Sequence, residues 1–345
     1  MDGVDVIIAG AGIIGLSTAL ELATRGAKVT VLERKAAMQE ASWAAAGMLA
    51  AHDPENPPQL RPLSELSIRL YPRFLARIEQ LSGKTVPLRT SATLQQSHTG
   101  GIPPEEIARV VPDLNDVGRQ FCWLEESSLD PRDLCAALPL AALAAGVKLI
   151  ESTPVSGVQA SSHGIEVVTP DNRYFCHAFL NCCGAWAGAI AGYSVIAPRK
   201  GQMVVVQLPP DLHLDFVIRT AELYLVPRGD GRVVIGASVE SVGYDKTIHQ
   251  DTIQALLQKA AHLWPPVRNA RIVETWAGLR PGSPDGLPVL DTWGGKNCWI
   301  ASGHFRNGIL LAPATAQLMC ELVLGEKPSL DLSPFHSDRF TEVCA

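Results

Sequence analysis

One short stretch near the start of the chain limits what it can fold into. An apolar run at residues 4–9 ends in Gly10-Ala11-Gly12-Ile13-Ile14-Gly15. Residues 16–25 follow with helical apolar spacing, then Gly26 as a candidate C-cap and a second apolar run at 28–33. Strand, glycine turn, helix and strand in that order form the dinucleotide-binding unit of a parallel sheet. Each glycine has its own task. Gly10 permits the tight turn, Gly12 admits a pyrophosphate against the backbone, and Gly15 lets the helix pack closely on the sheet. The helix N-terminus offers unpaired N–H groups and a positive dipole end to the phosphates. Glu33 follows Gly15 by 18 residues, at the tip of the second strand, where a carboxylate can accept from both ribose hydroxyls. A carboxylate there also repels a 2′-phosphate and so argues against NADP. The unit does not distinguish NAD from FAD.

Bulk properties remove several other classes. The 345 residues, 47% hydrophobic and 19% charged, suit two structural domains. With a net charge of -6 and no Lys/Arg run longer than Arg34-Lys35 or Arg199-Lys200, no nucleic acid partner is expected. The eight cysteines form no CxxC pair and lie at no zinc spacing from a histidine, so no metal is expected and the thiols read as reduced, in a cytoplasmic protein. Residues 6–20 are apolar, but Asp2 and Asp5 precede them, glycines interrupt them and they are too short to span a bilayer. No membrane partner is expected. A homo-oligomer is left open.

Further along, residues 60–81 read as one or two helices with a kink or break at Pro72. Asp130-Pro131 opens another helix, which leads through Gly146 into a strand at 147–150. Residues 155–168 read as a hairpin around Gly164, and 178–183 as a strand ended by Gly184-Ala185-Trp186. Strands are expected at 201–208 and 223–237, the second folded back at Arg228-Gly229-Asp230-Gly231. A helix at 252–263 stops at Trp264-Pro265-Pro266. Residues 300–302 read as a strand end, 303–308 as a turn, 309–324 as an apolar helix, and 332–345 as a trailing tail.

Residues 40–50 carry small side chains, which suit either backbone contact with a cofactor or a tightly packed helix. Within them, Ala44-Ala45-Ala46-Gly47-Met48-Leu49 resembles the second flavin-contacting motif of the D-amino acid oxidase family, in the version of its glycine oxidase branch. The block at 275–290, containing Trp276-Ala277-Gly278-Leu279-Arg280-Pro281, and the block at 301–316 are similar to those of glycine oxidases in order and spacing. With the N-terminal motifs, the resemblance spans essentially the whole chain.

The resemblance implies an α/β fold: a Rossmann-like FAD-binding domain at 1–84, 128–197 and 285–345, with an inserted, mostly antiparallel β-sheet substrate domain at 85–127 and 198–284. Arg280 would fork the substrate carboxylate, since a guanidinium can bond both oxygens. Tyr224 would bond the same group, and Arg306 would stand beside flavin and substrate. Met48 and Val239 would line the pocket. Cofactor contacts would come from Gly10, Gly12, Gly15, Glu33, Arg34, Ala45, Ala46, Gly47, Met48, Val155, Gly184, Arg306, Asn307, Gly308 and Ile309. Sarcosine oxidases attach FAD through a cysteine near the arginine block; residues 275–290 hold none, so non-covalent FAD is expected. His304 reads as a residue oriented beside the flavin rather than a base, and Glu222 replaces another polar residue of the family.

The implied reaction is oxidative deamination of glycine or a small D- or N-methyl amino acid. Hydride passes from Cα to flavin N5, and oxygen is the second partner, giving imine or keto acid and hydrogen peroxide. In this family the glycine imine can supply thiazole assembly in thiamine biosynthesis. A D-amino acid or sarcosine dehydrogenase using another acceptor remains an alternative. A flavin-bearing tRNA-modification domain is a second, against which the acidic charge argues.

Overall fold

Five consecutive residues, Asp5–Ala9, form the strand on which the rest is organised. Its run Val-Ile-Ile-Ala is buried on both faces, the signature of a central parallel strand. It pairs in parallel with Lys28–Leu32 on one side and Ala178–Asn181 on the other. The complete sheet has six strands, in the order Val289–Thr292, Cys298–Ser302, Ala178–Asn181, Asp5–Ala9, Lys28–Leu32 and Lys148–Ile150. Only Val289–Thr292 runs antiparallel to its neighbour. The computed structural model describes residues 5–161, 164–190 and 195–343, and for 341–343 the backbone alone. Val4, expected to begin the first strand, and Cys344 lie outside the described residues.

The helices are α1 (Ile13–Thr24), α2 (Ala41–Ala44), α3 (Arg61–Ser82), α4 (Pro104–Val110), α5 (Pro131–Ala144), α6 (Gln250–Leu263) and α7 (Gly308–Val323). Helix α1 starts at Ile13, earlier than its apolar spacing suggested, because Gly12 serves as N-cap and its carbonyl already accepts from Leu16 N. Helix α3 is continuous through Pro72, so neither a break nor two helices results. Helix α7 is buried nearly all round, packed between the six-stranded sheet's helical cover of α1 and α3. Pro313 lacks the N–H that would bond Ile309 O, and Tyr71 of α3 repairs the gap by donating to that carbonyl at 2.5 Å. Ser67, one turn away, donates to Leu310 O at 2.6 Å. These bonds hold the first turns of α7 in place.

The second large sheet has seven strands, in the order Arg271–Gly282, Ala197–Gln207, Arg232–Gly236, Tyr224–Pro227, Val217–Arg219, Thr93–Ser97 and Gln120–Leu124. It is antiparallel except between Val217–Arg219 and Thr93–Ser97. Side chains alternate across it. Val204, Val206, Leu225 and Ile235 pack against α4 and α6, while Met203, Val205, Val226 and Val234 face residues 43–48. The strand expected at 201–208 begins earlier, at Ala197, because it pairs along its length with Arg271–Gly282.

The hairpin expected around Gly164 is present, Gly157–Ser161 pairing antiparallel with Gly164–Val168, and Arg173–Cys176 adds a third strand to it. Another expectation needs correction: residues 332–340 are not a trailing tail. Phe335 is buried at 1% exposure, Ser337 N and Oγ donate to Asp291, and Arg339 Nε donates to Asp285 at 2.7 Å. Apolar residues at 332, 335 and 340 supplied the anchors. No helix among the described residues is long and apolar enough to cross a membrane, and no cluster there could hold a metal ion.

Candidate active site

A single cavity of about 430 Å³ runs between the two large sheets, from Glu33 and Arg34 at one end to Tyr224, Arg280 and Arg306 at the other. Every substrate- or cofactor-contacting residue expected from the sequence lies in its wall except Gly15. A Cβ on Gly15 would stand 1.9 Å from Gly10 O, so this glycine brings α1 onto the turn and touches no ligand space. Gly10, at φ +101, has the carbonyl of Cys182 at 2.5 Å from where its own Cβ would be. Both glycines are required by backbone packing.

Gly12, Gly184 and Gly308 are different. A Cβ at Gly184 would meet nothing within 4 Å, and at Gly12 and Gly308 only Ser42 Oγ at 3.4 Å and His304 Cβ at 3.7 Å. These three give the cavity smooth backbone walls. Two helices also begin there, α1 at Gly12 and α7 at Asn307, neither with a side-chain cap, so free N–H groups and two positive dipole ends converge on it. Ser42 Oγ accepts from Ile13 N at 2.9 Å, while Asn307 Nδ2 donates to Asn56 at 2.9 Å. The arrangement fits a long anionic dinucleotide with a flat electron-accepting ring.

At the acidic end, Glu33 is buried and its two oxygens accept from Ala11 N at 2.8 Å and Lys35 N at 3.0 Å. Those bonds fix its carboxylate at the cavity wall with lone pairs remaining for ribose. Arg34 stacks 3.5 Å over the Trp186 ring and pairs with Glu40 at 2.6 Å. Trp186 stacks in turn on Tyr244. Residues 45–48 pass between the sheets with Gly47 at φ +86, where a Cβ would collide with Leu129 O. Trp276 Nε1 donates to Ala44 O at 3.0 Å, and buried Arg228 Nη1 donates to Ala46 O at 2.8 Å and Leu129 O at 3.0 Å. The segment is thus a short helix followed by extended backbone, not one packed helix. In the sequence Arg228 marks only a hairpin turn; nothing local to Arg228-Gly229 signals its bonds to segments 99 and 182 residues away.

The other end is organised by register. Arg219, Tyr224, Gly236, Met203 and Trp276 face one another in a row across five strands. The Tyr224 phenol lies over Gly236, where a Cβ would stand 2.5 Å from its hydroxyl. The Arg280 guanidinium lies over Gly201 in the same way, with Nη1 2.2 Å from the Cβ position. Arg280 Nη1 donates to Ser238 O at 3.1 Å. Arg280 also contacts the Tyr224 hydroxyl; burial raises the phenol's pKa, and Arg280 opposes that shift. Tyr224 therefore remains a neutral donor beside a fixed cation. Arg306 reaches Asp53 at 3.5 Å, and Met48 and Val239 complete this part of the wall.

Several wall residues carry no signal in the sequence that marks them. Arg219, 4% exposed, pairs with Glu126 at 2.9 Å and with Gln95. Asp53 lies between Arg219 and Arg306. Period-two alternation from Val217 would have turned Arg219 inward, but only once that strand was known. His304 is buried, bonded to Thr315 Oγ1 at 3.0 Å, and burial lowers its pKa to about 3, so it is a neutral residue and a poor base. Glu222 sits at the rim, exposed, with Lys259 at 3.9 Å.

Residues 5–322 match the family described as FAD dependent oxidoreductase, DAO. The chain is 32% identical to the glycine oxidase of Geobacillus kaustophilus, over 97% of each protein. The crystal structure of a glycine oxidase from that organism superimposes with a TM-score of 0.89 at 30% identity, covering 97% of this chain and 98% of the other. The bifunctional ThiO/ThiG protein of Trichormus variabilis is 35% identical over 97% of this chain, which spans 55% of that longer relative.

Proposed function

The chain belongs to the DAO family of FAD-dependent oxidoreductases, and from that membership we propose that it oxidises glycine or a small D- or N-methyl amino acid. The observation that carries this reading is the pair Arg280 and Tyr224, each seated over a glycine, facing the same cavity as two helix N-termini. Gly12, Gly184, Gly308 and Glu33 would hold FAD, with residues 45–48 and 306–309 along its length. FAD, when bound, supplies the acceptor for the hydride leaving Cα.

The residues of this chain bind and orient. Arg280 forks the substrate carboxylate and Tyr224 donates a further hydrogen bond to it, which fixes the direction of the Cα–H bond. Arg306 adds positive charge on the same side. Met48 and Met203 give this part of the cavity an apolar wall, with Val239 at its exposed rim. Neutral His304 holds its place beside the α7 N-terminus and takes no proton. The substrate nitrogen must arrive as the free amine, and the imine product reacts with water to give keto acid and ammonia, or the primary amine from an N-methyl substrate. Oxygen takes the two electrons and two protons as hydrogen peroxide. The likeness to ThiO/ThiG and glycine oxidases supports a role in supplying the imine for thiamine biosynthesis.

We assign non-covalent FAD, supported by the two cavity cysteines. Burial pushes the Cys183 thiol up to about 12 and Cys182 well above its ordinary value, so neither is a thiolate near neutral pH. The two-sheet architecture supports the proposed division, with the FAD-binding domain at 1–84, 128–197 and 285–345 and the substrate domain at 85–127 and 198–284. A cytoplasmic location accords with seven free cysteines among the described residues.

Mixing the yellow holoprotein anaerobically with glycine, sarcosine or D-alanine tests the proposal. Bleaching of the flavin, followed by stoichiometric peroxide on admitting air, is expected. No bleaching by any of the three would refute it. Bleaching without peroxide would instead mark a dehydrogenase.

A further inference from the structure

Arg219 has a donor that the protein leaves unused. Its residue is 4% exposed, and one edge of its guanidinium is occupied: Nε by Gln95 Oε1 and Nη2 by Glu126 Oε2 at 2.9 Å. Nη1 is shielded from bulk water and meets no acceptor among the described residues. An unmatched buried donor on a cation is costly, and native proteins seldom leave one without a purpose. Arg219 stands in the wall of the proposed active-site cavity.

Register places it relative to the substrate. Arg219 and Tyr224 are directly opposed across adjacent strands, so their side chains leave the same face of the sheet side by side. The Tyr224 phenol extends over Gly236, its partner on the other side, and toward Arg280. It leans away from Arg219. Arg219 is therefore next to the carboxylate subsite without forming part of it.

Charge decides what kind of group can use the free donor. Arg219 is already compensated by Glu126 and by Asp53, whose Oδ2 lies 3.8 Å from Nε. The same Asp53 pairs with Arg306. A second substrate carboxylate would enter beside two buried carboxylates, whereas a neutral oxygen would add a hydrogen bond without that repulsion. What Arg219 lacks is an acceptor; its charge is already balanced.

Resting on the amino acid oxidation proposed above, we propose that Arg219 Nη1 is the donor of a second substrate subsite, which selects small amino acids bearing a neutral side-chain acceptor, a hydroxyl or carboxamide oxygen. The discriminating measurement is kcat/KM for near-isosteric pairs. D-Serine should exceed D-2-aminobutyrate by about tenfold or more, and D-asparagine should exceed D-aspartate. In Arg219→Met/Glu126→Gln, which avoids leaving a buried carboxylate without its partner, the D-serine preference should fall to near unity. A ratio near one in the unaltered protein overturns the subsite, as does a preference for D-aspartate or a ratio retained in the double variant. The unaltered protein decides the matter even if that variant does not fold. If glycine or D-2-aminobutyrate bleaches the flavin while the pairs are not distinguished, the subsite alone falls. If no amino acid bleaches it, both readings fall together.

Discussion

Replacing Gly201 by alanine isolates the carboxylate assignment from the stability of the fold. Gly201 lies inside the strand Ala197–Gln207, opposite Gly278 of the neighbouring strand, and its φ is not in the left-handed region, so alanine imposes no backbone strain there. The added Cβ would lie 2.2 Å from Arg280 Nη1, 2.3 Å from Nη2 and 2.5 Å from Cζ. To reach ordinary contact at 3.4 Å the guanidinium must retreat by about 1.2 Å (3.4 less 2.2). Because the obstacle is the end of a flexible side chain, the fold absorbs this cheaply, but the fork leaves the position from which it would grip a carboxylate. Loss of charged hydrogen bonds costs about 1.5–3 kcal/mol, roughly 10- to 150-fold in affinity. We expect the glycine dissociation constant from anaerobic flavin reduction, and KM with it, to rise by that factor. FAD content and melting temperature should stay close to those of the parent. An amino acid affinity within threefold of the parent would refute the reasoning that Arg280, seated over Gly201, holds the carboxylate.

Three further outcomes follow from other parts of the site and core. Glu33→Gln puts an amide N–H against Ala11 N or Lys35 N and removes a charged acceptor for ribose, so the FAD dissociation constant should rise about tenfold or more by fluorescence titration of the apoprotein. An unchanged constant would count against Glu33 as the ribose ligand. His304 titrates near 6.5 when unfolded and near 3 when buried, so the unfolded chain binds the extra proton as pH falls through 6.5 while the folded chain resists until about 3. Stability present at neutral pH is therefore lost on acidification, about 2 kcal/mol from this residue between pH 6.5 and 5; His304→Gln should flatten the fall in unfolding free energy across that window. Phe335→Ala should destabilise by about 3–5 kcal/mol in urea unfolding if the last turns are part of the core. A change below about 1 kcal/mol would show that they are not.

Features set by local physics are legible in the chain. The turn at Gly10-Ala11-Gly12 and the Asp130-Pro131 cap are set by conformational preferences and by bonds to near neighbours in the chain. The same holds for the turn at residues 228–231 between paired strands, and all of these are where they were expected. Family resemblance extended this to Arg280, Tyr224 and residues 45–48, which do line one cavity. Helix ends moved by a few residues, and Pro72 did not divide its helix. Those differences reflect packing outweighing local preference.

Cross-strand relations were not legible. Arg219 meets Gln95 across 124 residues and Glu126 across 93, and neither separation leaves a periodic trace in the chain. Gly201 and Gly236 look like ordinary strand glycines until pairing places Arg280 and Tyr224 above them. By itself, then, the amino-acid order determined a strand–glycine turn–helix–strand unit with Glu33 at the tip of its second strand and the kind of sheet around it, and family resemblance added Arg280 and Tyr224 as the proposed carboxylate pair. The bed on which that pair rests and the unused donor of Arg219 came from strand register, and the neutral burial of His304 from packing of its turn against α7. That register is set by the whole buried pattern of two sheets at once and is not contained in any one segment.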